Sequence, residues 1–376
     1  MLQKREIGTN RKPCFSNGDC TAISTLYIPN TMKRVACYRN KAFCGTYSKD
    51  GNIFLTAAQD QYIRVYDTTN DGFQHIKSIR ARDVGWSILD TAFSPDGNYL
   101  IYSSWSDCIH LCNLQGDRET HEALPLFPGQ SSFCIFSLTF SLDNKEILGG
   151  ANCGCFYIYD RGSNQKVLTI EAHDDDVNAV AFADENSQIL FTGGDDGLCK
   201  ATKAAVTDQR WDYRWQPVPR KMARIQTLVG DASVMTYQGH SVLHTLIRSK
   251  FSPAFTTGQR YIYTGCATGS ACIYDVLSGK IVKRLTNGHS TCVRDISWHP
   301  TNNIIITTSW DSTIGQWSYI RSSQLYDSDE NDSSEESYSG NSDCEAMCKP
   351  RRSQRLKAKK RRQLREDSML SRKLFD

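Results

Sequence analysis

Residues 288–317, GHSTCVRDISWHPTNNIIITTSWDSTIGQW, constrain the fold of this chain more than any other stretch. Gly288-His289 opens it, and Val293, Ile296 and Trp298 fall in a mostly alternating run that suits a half-buried strand. His299-Pro300-Thr301-Asn302-Asn303 reads as a turn, because Pro fixes φ and Asn tolerates the left-handed region. Ile304-Ile305-Ile306-Thr307-Thr308 follows as a β-branched strand, bent at Ser309-Trp310-Asp311-Ser312. Thr313-Ile314-Gly315-Gln316-Trp317 is a third strand ending in an aromatic.

The same pattern recurs along the chain at residues 42–67, 87–113, 134–160, 171–200 and 243–275. Aligned on the bend, the residues in the Asp311 place are Asp60, Ser106, Cys153, Asp196 and Thr268, at steps of 46, 47, 43, 72 and, to Asp311, 43. Short strands opened by Gly-His and bent near Trp-Asp, at a period of about 40–45 residues, mark a WD-repeat β-propeller. Each unit is a small sheet that cannot bury its faces alone, so neighbours must stack in a ring. The expected fold class is therefore all-β, with five whole repeats and one truncated repeat, the ring being six-bladed or incomplete. The 72-residue step locates the defect. After Cys199-Lys200 the third strand of the fourth repeat loses its aromatic ending, and residues 201–242 carry no bend. They do carry WDYRWQPVPRK, dense in aromatics and arginine.

The expected organisation is an N-terminal extension (1–41), repeats one to four (42–200), an irregular insertion loop (201–242), the last two repeats (243–320) and a disordered tail (321–376). Within the extension, Ile23-Ser24-Thr25-Leu26-Tyr27-Ile28 is the candidate strand that closes the ring. In the tail, residues 327–346 hold eight acidic and no basic residues, whereas residues 349–365 hold ten Lys or Arg and no acid. Neither block buries apolar surface. The basic one, with Lys357, Lys359, Lys360, Arg361 and Arg362, reads as a nuclear import signal, giving an expected location in nucleus and cytoplasm.

Composition removes several function classes. No apolar run approaches a membrane span, the N-terminus lacks the apolar segment of a signal peptide, and no membrane partner is expected. The 15 cysteines contain no CxxC pair and no His pair at zinc spacing, so no metal and no cofactor are expected. A Ser, a His and an Asp recur within a repeat, but no G-x-S-x-G elbow accompanies them. They read instead as a structural network: the bend Asp holds the His before the first strand, and that His pairs with the Ser of the second strand. The expected members are His289, Ser309, Asp311 and Trp317, with Asp60, His173 and Asp196 at corresponding places. No catalytic residue is assigned.

The stretches AFCGTYSKDGNIFLTAAQDQYIRVYD, ARDVGWSILDTAFSPDGNYLIYSSWSDCIHLCN, AHDDDVNAVAFADENSQILFTGGDD and WDYRWQPVPRK, with MTYQGH and LIRSKFSP, closely resemble the WD-repeat substrate receptors of cullin-4 ubiquitin ligases. The resemblance covers roughly residues 1–320 and extends more distantly to plant LEC-fourteen-B-like proteins. It implies a non-catalytic propeller that docks on the ligase's large propeller adaptor and presents protein substrates. Such receptors carry W-D-x-R at the end of a blade's third strand, with the Arg facing the adaptor. Here the only literal match is Trp211-Asp212-Tyr213-Arg214, in the irregular loop, so Trp211, Asp212 and Arg214 are the adaptor-binding candidates. Two other readings remain: a variant that binds substrate without the ligase, and a nucleic-acid-binding module suggested by residues 210–221 and the basic tail. Nucleic acid is the less expected partner.

Overall fold

The computed structural model describes residues 17–321 apart from 70–71, 117–118, 127–131, 183–189, 197–198, 201–234, 236 and 244. The chain separates into two units, 1–321 and 322–376, and the described residues all belong to the first.

Six antiparallel sheets follow one another in chain order. Blade 1 holds β2 (Ala42–Tyr47), β3 (Ile53–Ala58), β4 (Tyr62–Asp67) and β5 (Gln74–Arg80). Blade 2 holds β6 (Asp90–Phe93), β7 (Tyr99–Ser103), β8 (Cys108–Asn113) and β9 (His121–Pro125). Blade 3 holds β10 (Ile135–Phe140), β11 (Glu146–Ala151), β12 (Cys155–Asp160) and β13 (Gln165–Glu171). Among the described residues blade 4 has three strands, β14 (Val177–Phe182), β15 (Leu190–Gly194) and β16 (Cys199–Lys200). Blade 5 holds β17 (Ser249–Phe251), β18 (Tyr261–Gly265), β19 (Ala271–Asp275) and β20 (Ile281–Leu285). Blade 6 joins β21 (Val293–Trp298), β22 (Ile305–Ser309) and β23 (Thr313–Ser318) to the N-terminal β1 (Thr31–Cys37).

The blade-closing strand is therefore β1, which runs antiparallel to β23 from Thr31↔Ser318 to Cys37↔Thr313. The run Ile23–Ile28, expected as that strand, instead falls largely in helix α1 (Asn17–Leu26). Pro29 explains the offset. It lacks an N–H, and a ladder begins only beyond it, where the Asn30 N–H donates to Ser318 O at 3.0 Å. The helix is held by side chains: the Thr25 hydroxyl meets the Tyr261 hydroxyl at 2.8 Å, and Ile28 enters the apolar cluster of blades 5 and 6.

Turns between first and second strands are fixed by one device. In Ser48–Gly51, Ser94–Gly97 and Ser141–Asn144 the Ser Oγ donates to the Asp Oδ1 at 2.5, 2.5 and 2.7 Å. It accepts the N–H that opens the second strand, from Ile53, Tyr99 and Glu146, at 3.0, 2.9 and 2.8 Å. The last residue of each turn is left-handed, with φ of 81° at Gly51, 71° at Gly97 and 61° at Asn144. Gly adopts that region without a Cβ penalty and Asn tolerates it. These turns, with those between third and fourth strands, make the lower face. The upper face is made by the bends between second and third strands and the connections into each next blade.

Stacking buries the faces that the pattern left apolar. Leu55, Ile63, Ile79 and Leu100 fill the seam of blades 1 and 2, and Ile109, Leu124, Ile135 and Ile147 that of blades 2 and 3. Leu148, Val177 and Val180 join blades 3 and 4, Tyr263, Ile273, Ile296 and Ile305 join blades 5 and 6, and Phe54, Ile306 and Ile314 join blades 6 and 1. Among the described residues the channel holds a cavity of about 780 Å³ lined by the inner strands of blades 1 to 5, with Val180 and Phe191 of blade 4 and Ile247 ahead of blade 5 in its wall. Past the undescribed stretch, the chain returns along blade 5, where the Tyr237 hydroxyl donates to Val276 O and His240 Nδ1 meets the Tyr274 hydroxyl, both at 2.9 Å.

Ile314 is fully buried between the first and last blades. Ile314→Ala is expected to cost about 2–5 kcal/mol through lost burial and the cavity left behind. Denaturant titration should show a lower midpoint at unchanged slope.

Candidate functional site

The inner strands bring six side chains to one level of the central channel. Strand register gives Cys44, Asp90, Ser137, Ala179 and Asp295 equivalent places, and Arg248 stands at the same place just ahead of β17. In blades 1, 3, 4 and 6 the preceding residue (Phe43, Phe136, Asn178 or Arg294) is bulged out of the ladder. Most of these side chains bind the neighbouring blade. Asp295 accepts the Gly45 N–H at 3.0 Å, Asp90 the Leu138 N–H at 2.7 Å and Ser137 Oγ the Val180 N–H at 3.3 Å, while the Cys44 thiol donates to Leu89 O at 3.1 Å. Ala179 has no polar group to offer.

Arg248 crosses the channel. Its Nη1 lies 2.7 Å from Asp90 and 3.5 Å from Asp295, and its Nη2 donates to Leu89 O at 3.3 Å and Phe136 O at 3.4 Å. Lys250 Nζ lies 3.0 Å from Asp295. Arg294, 1% exposed, donates to Phe43 O at 2.6 Å and Leu89 O at 3.1 Å, with its guanidinium 4.9 Å from the Phe43 ring centre. Blades 5 and 6 are thereby tied to blades 1, 2 and 3 through charge-assisted bonds. Burial raises the Asp295 carboxyl, but Lys250 and Arg248 outweigh it and hold it below the usual carboxylate range. Burial likewise lowers the Arg248 guanidinium, and Asp90 and Asp295 more than reverse this. Burial pushes the Cys44 thiol up to about 11, against the pull of both arginines, so it packs and does not react.

The repeat networks lie nearer the upper face. In blade 6, Trp317 Nε1 donates to Thr307 Oγ1 at 2.9 Å, and Thr307 Oγ1 meets His289 Nε2 at 2.7 Å. His289 Nδ1 faces Asp311 at 3.2 and 3.3 Å. His289, Asp311 and Trp317 thus come together, but through Thr307, not Ser309. The Ser309 hydroxyl donates to Cys292 O at 3.0 Å and accepts the Asp311 N–H at 3.2 Å. Thr is the better placed partner because its strand position faces the His ring, two residues before Ser309. Blade 4 repeats the arrangement: His173 Nδ1 lies 2.9 Å from both Asp196 oxygens and Nε2 lies 2.9 Å from Thr192 Oγ1. Asp60 holds no His; it pairs with Arg64 at 2.5 Å. Both His side chains are fully covered and bonded at both ring nitrogens, which leaves these sets no free base.

The other expected site residues cannot be placed. Trp211, Asp212 and Arg214, and Lys357, Lys359, Lys360, Arg361 and Arg362, lie outside the described residues, as does the tail. The positions where a W-D-x-R arginine would stand at described third-strand ends hold Thr69, Gln115, Gly162, Leu277 and Ile320. On that lower face α1 packs against α2 (Ala254–Thr257), and Leu26, Phe255 and Leu277 stand 67%, 72% and 81% exposed.

The channel charges were missed by reasoning from the bend and the turn alone, although a signal existed. Cys44, Asp90, Ser137, Arg248 and Asp295 each stand four residues before the residue that opens the lower turn, Ser48, Ser94, Ser141, Ser252 or His299. A polar group repeated at that place in an otherwise apolar strand points at the channel.

Comparison with known proteins adds family. The WD domain, G-beta repeat family matches residues 164–201 and 279–318. A Caenorhabditis elegans protein described as a DDB1- and CUL4-associated factor 11 homolog is 34% identical, covering 85% of this chain and 67% of its own length. Its Caenorhabditis briggsae counterpart is 30% identical over 85% and 70%, and a Prunus armeniaca LEC14B homolog is 32% identical over 86% and 82%. The first alignment runs over 392 positions yet uses 85% of the 376 residues, so the relative fills positions that this chain lacks.

Arg248→Met is expected to cost about 3–5 kcal/mol, because two buried carboxylates lose their shared cation. Arg248→Lys should recover only part of this, since an ammonium cannot bridge both, and urea titration reads both variants. Asp311 gives a pH signature. Burial raises its carboxyl, but hydrogen bonds from His289, Thr313 and Ser290 bring it down to about 2. Its contribution, up to about 2 kcal/mol, is therefore complete above about pH 4 and lost as pH falls towards 2. Asp311→Asn should flatten the stability profile across that window and leave the slope above pH 5 unchanged.

Proposed function

We infer that this chain, which belongs to the family of DDB1- and CUL4-associated factor 11 (WD-repeat protein 23) homologues, is a non-catalytic substrate receptor of a cullin-4 ubiquitin ligase. The observation that carries this is identity extending over 85% of the chain to relatives whose names state association with DDB1 and CUL4. The buried, fully bonded His-Asp-Thr sets support a scaffold role. Adaptor docking is assigned to the lower face, where third strands end and where Leu26, Phe255 and Leu277 are exposed. With Thr69, Gln115, Gly162, Leu277 and Ile320 in the arginine places, apolar contact there supplies the binding that a guanidinium supplies in W-D-x-R blades, together with Trp211, Asp212 and Arg214. The segment holding Lys357, Lys359, Lys360, Arg361 and Arg362 is proposed as the import signal, on composition.

The same strand ends favour a second reading, a receptor that holds substrate without engaging the ligase. Affinity purification of the tagged chain from cells separates the two. The receptor reading expects DDB1 and cullin-4 in the eluate, with recovery falling at least about fivefold for Leu26→Asp with Leu277→Asp at unchanged melting temperature. If neither protein is recovered while a full-length relative recovers both, the second reading stands. Expression should then raise the level of a substrate shared with that relative.

A further inference from the structure

We propose that Cys153 and Cys155, at the bend of blade 3, form an oxidation site: a paired dithiol that a hydroperoxide closes to an intramolecular disulfide. The site stands apart from the receptor reading and goes beyond it.

The repeat itself brings these two positions together. Cys153 occupies the bend place held by Asp60, Asp196 and Asp311 in other blades, and Cys155 stands two residues on, at the start of β12. In blade 6 the side chains at those two places touch, Thr313 Oγ1 donating to Asp311 Oδ1 at 2.6 Å. In blade 5 they touch again, with Thr268 Oγ1 and Ser270 Oγ 3.1 Å apart. Blade 3 puts a free thiol at each place. Cys153 Sγ lies 3.2 Å from the Tyr157 hydroxyl, and the Cys155 thiol donates to Cys153 O at 3.6 Å.

Cys153 also departs from what the fold asks of its place. A bend Asp accepts the N–H two residues on, from Tyr62 at 3.1 Å in blade 1 and from Thr313 at 3.0 Å in blade 6. A thiol sulfur is only a weak acceptor for such a bond. This bend is fixed by its neighbours on either side. The Asn152 N–H donates to Cys134 O at 3.2 Å, its Oδ1 accepts the Cys134 N–H at 3.1 Å and its Nδ2 donates to Ser132 O at 2.7 Å. Gly154 O accepts the N–H groups of Ala172 and His173, both at 2.9 Å. Gly154 itself is left-handed, with φ of 72°, and a Cβ there would run into the His173 carbonyl. A Cys-Gly-Cys segment anchored in this way holds its two sulfurs in reach of each other before any reaction, so little freedom is lost when they join.

Exposure sets the order of events. Cys153 is exposed and Cys155 half-buried. Burial and the neighbouring Cys153 push the Cys155 thiol up to about 11. The thiolate is the attacking form, so Cys153 meets the oxidant first. Its sulfur attacks one oxygen of the hydroperoxide, the O–O bond breaks, an alcohol (water from hydrogen peroxide) leaves, and Cys153 becomes a sulfenic acid. The Tyr157 O–H is placed to donate to the Cys153 thiolate during that attack. The Cys155 sulfur then attacks that of Cys153. The S–S bond forms, the S–O bond breaks, and the Cys155 proton leaves with the hydroxide as water. Two thiols are oxidised to one disulfide, and one hydroperoxide is reduced to an alcohol and water.

Trypsin cleavage after Lys145 and Arg161 releases residues 146–161, which hold these two cysteines and no other. The test takes the full chain, reduced and freed of reductant, through hydrogen peroxide, alkylation, digestion and mass spectrometry. The peptide is expected unalkylated and lighter by two hydrogens, to be restored by dithiothreitol, and to be oxidised at least about tenfold faster than exposed Cys199. Cys155→Ser should trap the sulfenic acid on Cys153 as a dimedone adduct. Cys153→Ser should slow the oxidation of Cys155 at least about tenfold, both variants melting with the parent. A doubly alkylated peptide under conditions that oxidise Cys199 overturns the proposal. So does a disulfide from either cysteine to a third, and so does absence of the dimedone adduct in Cys155→Ser.

Discussion

The Arg248 bridge to Asp90 and Asp295 is the contact on which the ring depends. Blades in a propeller touch mainly their two neighbours, so a weak seam is a place where the ring can open. Among the described residues the seam of blades 4 and 5 borders the channel cavity, which the inner strands of blades 1 to 5 line. A guanidinium anchored on blade 5 and bonded to blades 2, 3 and 6 bypasses that seam through the centre. An ion pair at this depth carries a desolvation cost, and it is a net advantage only because the remaining oxygens are bonded as well. Asp295 meets the N–H groups of Gly45 and Ile296, and Asp90 those of Thr91 and Leu138.

The level of the channel also shows how one strand position is reused. Asp90 and Asp295 reach forward to a backbone N–H of the following blade, and Ser137 does so with a hydroxyl. Ala179 cannot, and it is on the blade that lacks a fourth described strand. Among the described residues, the blade without the polar latch is also the one with three strands.

Much of this was legible in residues 288–317. The turn, the bend and the three strands recur where the template places them, because each is set by local chemistry: a Ser-Asp pair over a left-handed Gly, an Asp that holds backbone N–H groups, and a period-two burial pattern. Long-range choices were less legible. Ile23–Ile28 has strand composition, and only its contacts with Tyr261 and the cluster of blades 5 and 6 make its helical placement intelligible. Ser309 looked like the partner of His289, yet Thr307 holds it, because side-chain direction within a bent strand is not visible in spacing alone. Arg248 is a single charged residue in a short strand entrance, and its worth comes from two carboxylates more than forty residues away in either direction.

The pairing of β1 with β23 joins residues 31–37 to residues 313–318. During synthesis the chain emerges from its N-terminus, so β1 is made first and its partner almost last. Every intervening blade can form and stack beforehand, but the ring cannot lock until nearly the whole of the propeller has left the ribosome. Until then the row of backbone donors and acceptors on β1 stands open, a liability of unpaired edges. Loop closure over such a separation is also slow relative to hairpin formation within a blade. A nascent chain of this protein is therefore a stack of finished hairpins awaiting one late event, and that interval is when it most needs a chaperone.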